Sequence, residues 1–213
     1  KTAQNIGQLE YSAAGLCSEF KKSDIVAGIV MSTPRRNTDE HSDYVKERVI
    51  EDEKIDCLYT CVGVNPEELI KSNRELVYIE EELRKDMTVA IKLYPGYTPF
   101  YVYDSIYEPV YDLAKKYRVP VAIHCGDTQS PLGILKYSHP LNIDELAVKH
   151  QDVTFIICHM GVPWIMDAAQ LIAKNHNVYA DVSGLIAGNE EQISNIKNTR
   201  LYVELIQQGL VYA

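Results

Sequence analysis

The sequence has no surplus of positive charge. Its 21 lysines and arginines stand against 30 acidic residues, a formal net charge of −9 over 213 residues. A phosphate backbone is bound through a basic face, so nucleic acid is not expected as a partner. The same deficit speaks against a polybasic membrane contact. No apolar run approaches the roughly 20 residues that a membrane helix needs, and the N-terminus has no apolar signal core with a basic flank. The five cysteines, Cys17, Cys57, Cys61, Cys125 and Cys158, are odd in number and contain no C-x-x-C pair. Neither a zinc ribbon nor a disulfide framework is suggested, and a reducing cytoplasm is the expected setting. A G-x-S-x-G elbow is missing, which disfavours a Ser-His-Asp hydrolase. The phosphate-cradling G-x-x-x-x-G-K-[ST] and the dinucleotide G-x-G-x-x-G are missing too.

What the sequence does contain is one recurring unit. A short apolar, β-branched run ends in a polar residue, and an amphipathic stretch follows. The runs are Ile25–Met31, Cys57–Val64, Thr88–Leu93, Val119–Cys125, Val153–His159 and Asn177–Val182. Most are apolar on both faces, as strands of a buried parallel sheet are. Helical patterns lie between them, such as Asp104–Tyr117 and Asn142–His150, with Asn142 placed to cap the latter and Glu145 three residues on. Alternating βα units imply an α/β fold with a parallel sheet. With no linker, repeat or low-complexity block, residues 1–213 read as a single domain. Six strands are found where a closed (β/α)8 TIM barrel needs eight. A helical pattern at Ala3–Phe20 opens the chain and another at Ile193–Gln208 nearly closes it. The expected architecture is therefore a TIM barrel lacking its first and last strands, part of a longer protein, whose raw edges favour homo-oligomers.

Barrel enzymes keep their chemistry at the C-terminal ends of the strands. Lys92, His124, His159 and Asp181 fall there. Strand residues alternate faces. If His124 points inward, so does Ala122; the same parity pairs Ala90 with Lys92 and Ile157 with His159. Cys125 and Cys158 should then lie under the helices as buried apolar residues. Three adjacent strands would deliver Lys92, His124 and His159 to one region. Histidine is the commonest metal ligand and titrates near neutrality, so the group suits a metal-activated water with an acid–base partner. The duller alternative is a pair of satisfied loop histidines and an ion-paired barrel lysine.

The blocks GIVMSTPRRN, VAIKLYPGY, VPVAIHCGDT, SHPLNIDEL, FIICHMG and NVYADVSGL resemble, in order, those of the amidohydrolase-related branch of the amidohydrolase superfamily. That branch holds metal-dependent hydrolases and non-oxidative decarboxylases of the aminocarboxymuconate semialdehyde decarboxylase type. The resemblance implies a (β/α)8 barrel with one or two divalent metals, often zinc. It implies His124 as a metal ligand and His159 as a contact to the metal or its water and the acid–base residue. Lys92 would be a carboxylated metal bridge or a binder of substrate carboxylate. It also implies an H-x-H pair on the first strand and an aspartate on the eighth. Neither is in this sequence, so the 213-residue chain alone is expected to hold metal weakly or not at all.

Lesser candidates surround this set. His139 and Trp164 follow the fifth and sixth barrel strands and can reach the mouth. Arg35, with Arg36 beside it, can hold an anionic substrate. Each has an ordinary surface reading as well. The five tyrosines of Tyr94–Tyr107 can wall the pocket or simply pack on one another, and the facing of Asp181 is open between that residue and Val182. The expected function is metal-dependent hydrolysis of a C–N, C–O or lactone bond in a small molecule. The alternatives are decarboxylation or hydration on the same site, or a metal-free binding barrel without activity.

Overall fold

The computed structural model describes residues 13–34, 57–185, 191, 194 and 195. Arg35, Arg36 and most of the two expected terminal helices lie outside them. Helix α1 (Ala13–Lys22) precedes strand β1 (Gly28–Met31). Strand β2 (Leu58–Gly63) follows, then α2 (Pro66–Lys71), α3 (Arg74–Leu83) and β3 (Thr88–Leu93). A 3-10 turn, Ser105–Tyr107, leads into α4 (Glu108–Tyr117) and β4 (Val121–Ile123). Next come α5 (Asn142–Lys149), β5 (Phe155–Ile157), α6 (Ile165–Lys174) and β6 (Val178–Ala180). The six strands form one sheet in the order β1 to β6, and every pairing is parallel. Short, apolar strands joined from β2 onward by crossover helices leave little other choice.

The strands alternate as expected on β3 and β4. Ile91, Leu93, Val121, Ile123 and Cys125 join Ile79, Val110, Tyr111 and Ala114 in the core between sheet and helices. Ala90, Lys92, Ala122 and His124 take the other, inner face. Helix α4 shows how sequence selects this packing: Pro109 sits in its first turn, where the missing N–H costs nothing, and its buried side is Val110, Tyr111 and Ala114. Arg118 closes it in the left-handed conformation (φ 54°). The Tyr111 hydroxyl, fully buried, donates to the Val102 carbonyl at 2.5 Å. Among the described residues no helix is long and apolar enough to cross a membrane.

Two local expectations are corrected. Asn142 does not cap α5: the cap position is Leu141, with no side-chain bond. The Asn142 amide instead donates to the carbonyls of Lys136 and Tyr137, which fixes the incoming loop. On β5 the facing is reversed. Ile157 pairs with Ile123 and packs against the helices, so Ile156 and Cys158 take the inner face. The sheet ends at Ile157, and alternation cannot be carried through to His159.

Candidate functional site

The inner face at the C-terminal ends of β3, β4 and β5 carries the polar residues. Lys92 is the fifth residue of β3 and only 3% exposed. Its Nζ donates to Cys158 Sγ at 2.8 Å and lies 5.1 Å from the centre of the Tyr94 ring. Among the described residues it meets no carboxylate at ion-pair distance. The Cys158 thiol in turn lies beside the Asp181 carboxylate. Burial pushes that thiol up to about 11 despite the neighbouring ammonium. Cys158 is therefore part of the inner polar group, not a residue under the helices. Cys125 does lie under them.

His124 continues β4 by one residue and is 5% exposed. Its Nε2 stands 3.1 Å from the Asp127 carbonyl. A carbonyl only accepts, so Nε2 carries the proton and Nδ1 keeps its lone pair. Burial, followed by the charges of Lys92 and His159, pushes the imidazole down to about 4. It is neutral at physiological pH.

His159 reaches the same region by another route. The chain leaves β5, and His159 (φ 61°, ψ 23°) and Met160 (φ 47°, ψ 22°) both adopt left-handed backbone. That conformation is uncommon outside glycine and marks a site held by its surroundings. What holds it is Asp181 just past β6. Its Oδ1 accepts from the His159 amide at 2.9 Å, from the Ser183 amide at 3.0 Å and from the Ser183 hydroxyl at 2.5 Å. Burial alone would raise the Asp181 carboxyl, yet these donors hold it below its ordinary value. The His159 ring comes to rest 5.1 Å from the His124 ring, centre to centre. Its Nδ1 faces the Ser183 carbonyl at 2.8 Å, leaving Nε2 with a lone pair.

The structure thus brings Lys92, His124 and His159 together, and adds Cys158, Asp181 and Tyr97. The Tyr97 ring packs on His124 at 4.8 Å. Of the five tyrosines in Tyr94–Tyr107, two face the site and Tyr107 is core. Tyr101 and Tyr103 stack on each other at 4.9 Å. His139 and Trp164 form a separate pair, 4.6 Å apart, with Asp167 Oδ2 3.6 Å from His139 Nε2. They sit on the loops after β4 and β5, the same end of the sheet. Arg35 lies outside the described residues. Asp181 was legible only as an ambiguous strand end, and Ser183 carried no signal at all.

The donor chemistry can be tested against a divalent metal. Each histidine gives one ring N–H to a backbone carbonyl and keeps a bare nitrogen, which is how ligating histidines are commonly oriented. Both fit as ligands. Among the described residues no group of three or more His, Cys, Asp or Glu is placed to hold an ion, so they supply two donors where catalytic zinc usually has three.

The neutral state of His124 has a measurable consequence in the metal-free chain. Its folded pKa is about 4, against roughly 6.5 unfolded. Between those values the unfolded chain binds more protons, so stability rises with pH across that window and is lost as pH falls through it. Urea unfolding in chelator should show about 2–3 kcal/mol less stability at pH 4.5 than at pH 7 from this group. His124→Gln should flatten that part of the profile, and an unchanged slope would place the imidazole in water.

Comparison with known proteins bears on the family and the fold. The sequence model described as Amidohydrolase matches residues 59–206. A search of curated proteins gives no match. Among solved structures, an uncharacterised TIM-barrel protein from Bordetella bronchiseptica superposes with a TM-score of 0.65 at 19% identity, over 92% of this chain and 65% of its own. An amidohydrolase from Burkholderia multivorans with bound zinc gives 0.62 at 12% identity, over 96% of this chain and 69% of its own. A probable 2-pyrone-4,6-dicarboxylic acid hydrolase from Acinetobacter baumannii with citric acid bound gives 0.58 at 13%, over 95% and 68%. The chain therefore spans about two thirds of these relatives, just under that for the first, and the likeness is one of TIM-barrel fold.

Proposed function

The chain belongs to the amidohydrolase family, and within that family we propose that it hydrolyses a lactone, ester or amide bond in a small molecule bearing a carboxylate. The observation that carries this reading is the buried Lys92 ammonium beside the His124–His159 pair. A buried ammonium with no carboxylate at ion-pair distance, among the described residues, can receive an anion. The dicarboxylic acid substrate in the name of the Acinetobacter relative, and the citric acid bound there, are of the same chemical kind.

The roles follow from position. Lys92 receives the substrate carboxylate and sets its orientation. His124, neutral and pinned by the Asp127 carbonyl, and His159 would hold a divalent metal, zinc by the nature of the donors. When bound, that metal supplies an acidified water and a polarised carbonyl. His159 is more exposed than His124; its one bare nitrogen can serve either as the second metal ligand or as the carrier of a proton to or from the leaving group, not as both at once. Asp181 positions His159 through its backbone amide. His139 and Trp164 offer an aromatic wall on the rim.

The test is a parallel screen of carboxylated lactones, esters and amides against aromatic carboxylates, following ring opening and carbon dioxide release together. Ring opening or acyl cleavage without carbon dioxide is the expected result. Carbon dioxide released from an aromatic acid would replace hydrolysis by decarboxylation on the same residues. Turnover of neither class would leave the barrel as a binding protein.

A further inference from the structure

The five thiols fall into two groups. Cys61, Cys125 and Cys158 are buried, and burial raises all three, Cys61 to about 12. Thiols held protonated in this way are poor nucleophiles. Cys17 and Cys57 are half-buried instead. They lie at the opposite end of the sheet from Lys92 and the histidines. Cys17 is on α1, and Cys57 immediately precedes β2.

Packing aims these two at each other. Cys17 and Phe20 are three residues apart on α1 and so share a helix face. Both press on Leu58, as do Val30 and Cys57. The Phe20 ring fills the space where a side chain at residue 28 would stand, which is why glycine opens β1. The Gly28 amide donates to the Cys57 carbonyl at 2.9 Å, so Cys57 is fixed at the first rung between β1 and β2. The two sulfur atoms are 2.8 Å apart. A disulfide bond needs about 2.05 Å, less than 1 Å of further approach.

We propose that Cys17 and Cys57 are a redox modification site that closes to a reversible disulfide, tying α1 and β1 to β2. With hydrogen peroxide as oxidant the step balances. One thiol gives up its proton and attacks the peroxide O–O bond as the thiolate; a sulfenic acid forms, and the hydroxide released takes up that proton as one water. The second thiolate displaces hydroxide from that sulfur, forming S–S and a second water. Two S–H bonds are lost, the two sulfurs are oxidised by two electrons in total, and peroxide is reduced by two. A dithiol reductant reverses the change. In a reducing cytoplasm the pair rests as thiols and responds to oxidant, while the three buried cysteines do not.

The experiment treats the purified chain with hydrogen peroxide, alkylates it with iodoacetamide in denaturant, and maps unreduced tryptic peptides by mass spectrometry. Three of the five cysteines should be alkylated, with the peptides carrying Cys17 and Cys57 joined. Dithiothreitol should restore all five. Cys17→Ser should remove the link and Cys61→Ser should keep it, which separates Cys57 from Cys61 on their shared peptide. The oxidised chain should melt roughly 5–10 °C higher than the reduced one, since the bridge closes a loop of about 40 residues. Five alkylated thiols after peroxide would overturn the proposal. So would a link between two chains or to a buried cysteine, or sulfonic acid at Cys17 or Cys57 without a link.

Discussion

Replacing Lys92 by methionine should abolish most activity and raise stability at the same time. The ammonium is 3% exposed and, among the described residues, its partners are a thiol and an aromatic ring. Removing such a charge from water costs several kcal/mol, and a thiol acceptor returns little of it. Methionine keeps the length of the side chain and the contact with Tyr94 while removing the charge. Replacing buried charges by apolar side chains of similar volume is often stabilising, and a gain of roughly 1–2 kcal/mol, or about 2–8 °C in Tm, is expected here. The carboxylate-bearing substrate would lose its charged partner. A buried charge pair broken on one side costs about 3–5 kcal/mol, so kcat/KM should fall by roughly 10²–10⁴-fold, mostly through KM. Thermal melting and steady-state kinetics on one preparation check both. A variant that melts lower would mean that Lys92 is paired by groups outside the described residues and serves the fold.

Gly126→Ala should be the most destabilising single-atom addition near the site. Gly126 turns the chain out of β4 with φ +100°, and an added Cβ would run into the Val162 carbonyl oxygen. The next atoms in the way, Val162 C and Gly161 C, are backbone as well, at 3.0 and 3.1 Å, so no rotamer change relieves the clash. The turn must move or the loop after β5 must. Positive φ adds about 1 kcal/mol for an L-residue, and displaced backbone adds more, for a total of roughly 3–4 kcal/mol. The same turn lets the Asp127 amide reach the Val162 carbonyl at 2.9 Å and sets the Asp127 carbonyl against His124. Activity should therefore fall with stability. Gly184→Ala is the control. Its φ is +70°, but the added Cβ would only touch the His159 Nδ1 at 3.4 Å, so it should cost about 1 kcal/mol. Equal Tm losses in the two variants would show that φ alone, not the collision, governs Gly126.

The strands and their order were readable because each carries a dense apolar run bounded by helix-compatible sequence, and parallel pairing follows from that spacing. All six runs contain a strand, trimmed by one to three residues at most ends. On β3 and β4 the alternation of facing continues through Lys92 and His124, so their inward position could be derived. It could not be derived for His159. Alternation predicts facing only while the backbone stays extended, and here it turns left-handed at His159, two residues past the strand. The agent of that turn, Asp181, is 22 positions away in sequence, and its bond to the His159 amide leaves no local trace. Cys158 was assigned to the wrong face for the same reason. Asn142 looked like a cap because caps are recognised by residue type, yet its amide is committed to the loop before it. The sequence pattern locates strand ends well. It does not see side chains whose partners lie on a distant strand.

If His124 and His159 are the ligand pair of the proposed amidohydrolase site, the metal content of the protein depends on them. Inductively coupled plasma mass spectrometry would be run on the protein as its gene encodes it and on His124→Ala, both purified without chelator. About one or two divalent ions per chain, zinc foremost, lost in the variant, is the predicted result. The same low metal content in both proteins would contradict the account and leave two histidines whose carbonyl bonds and ring packing serve the fold alone.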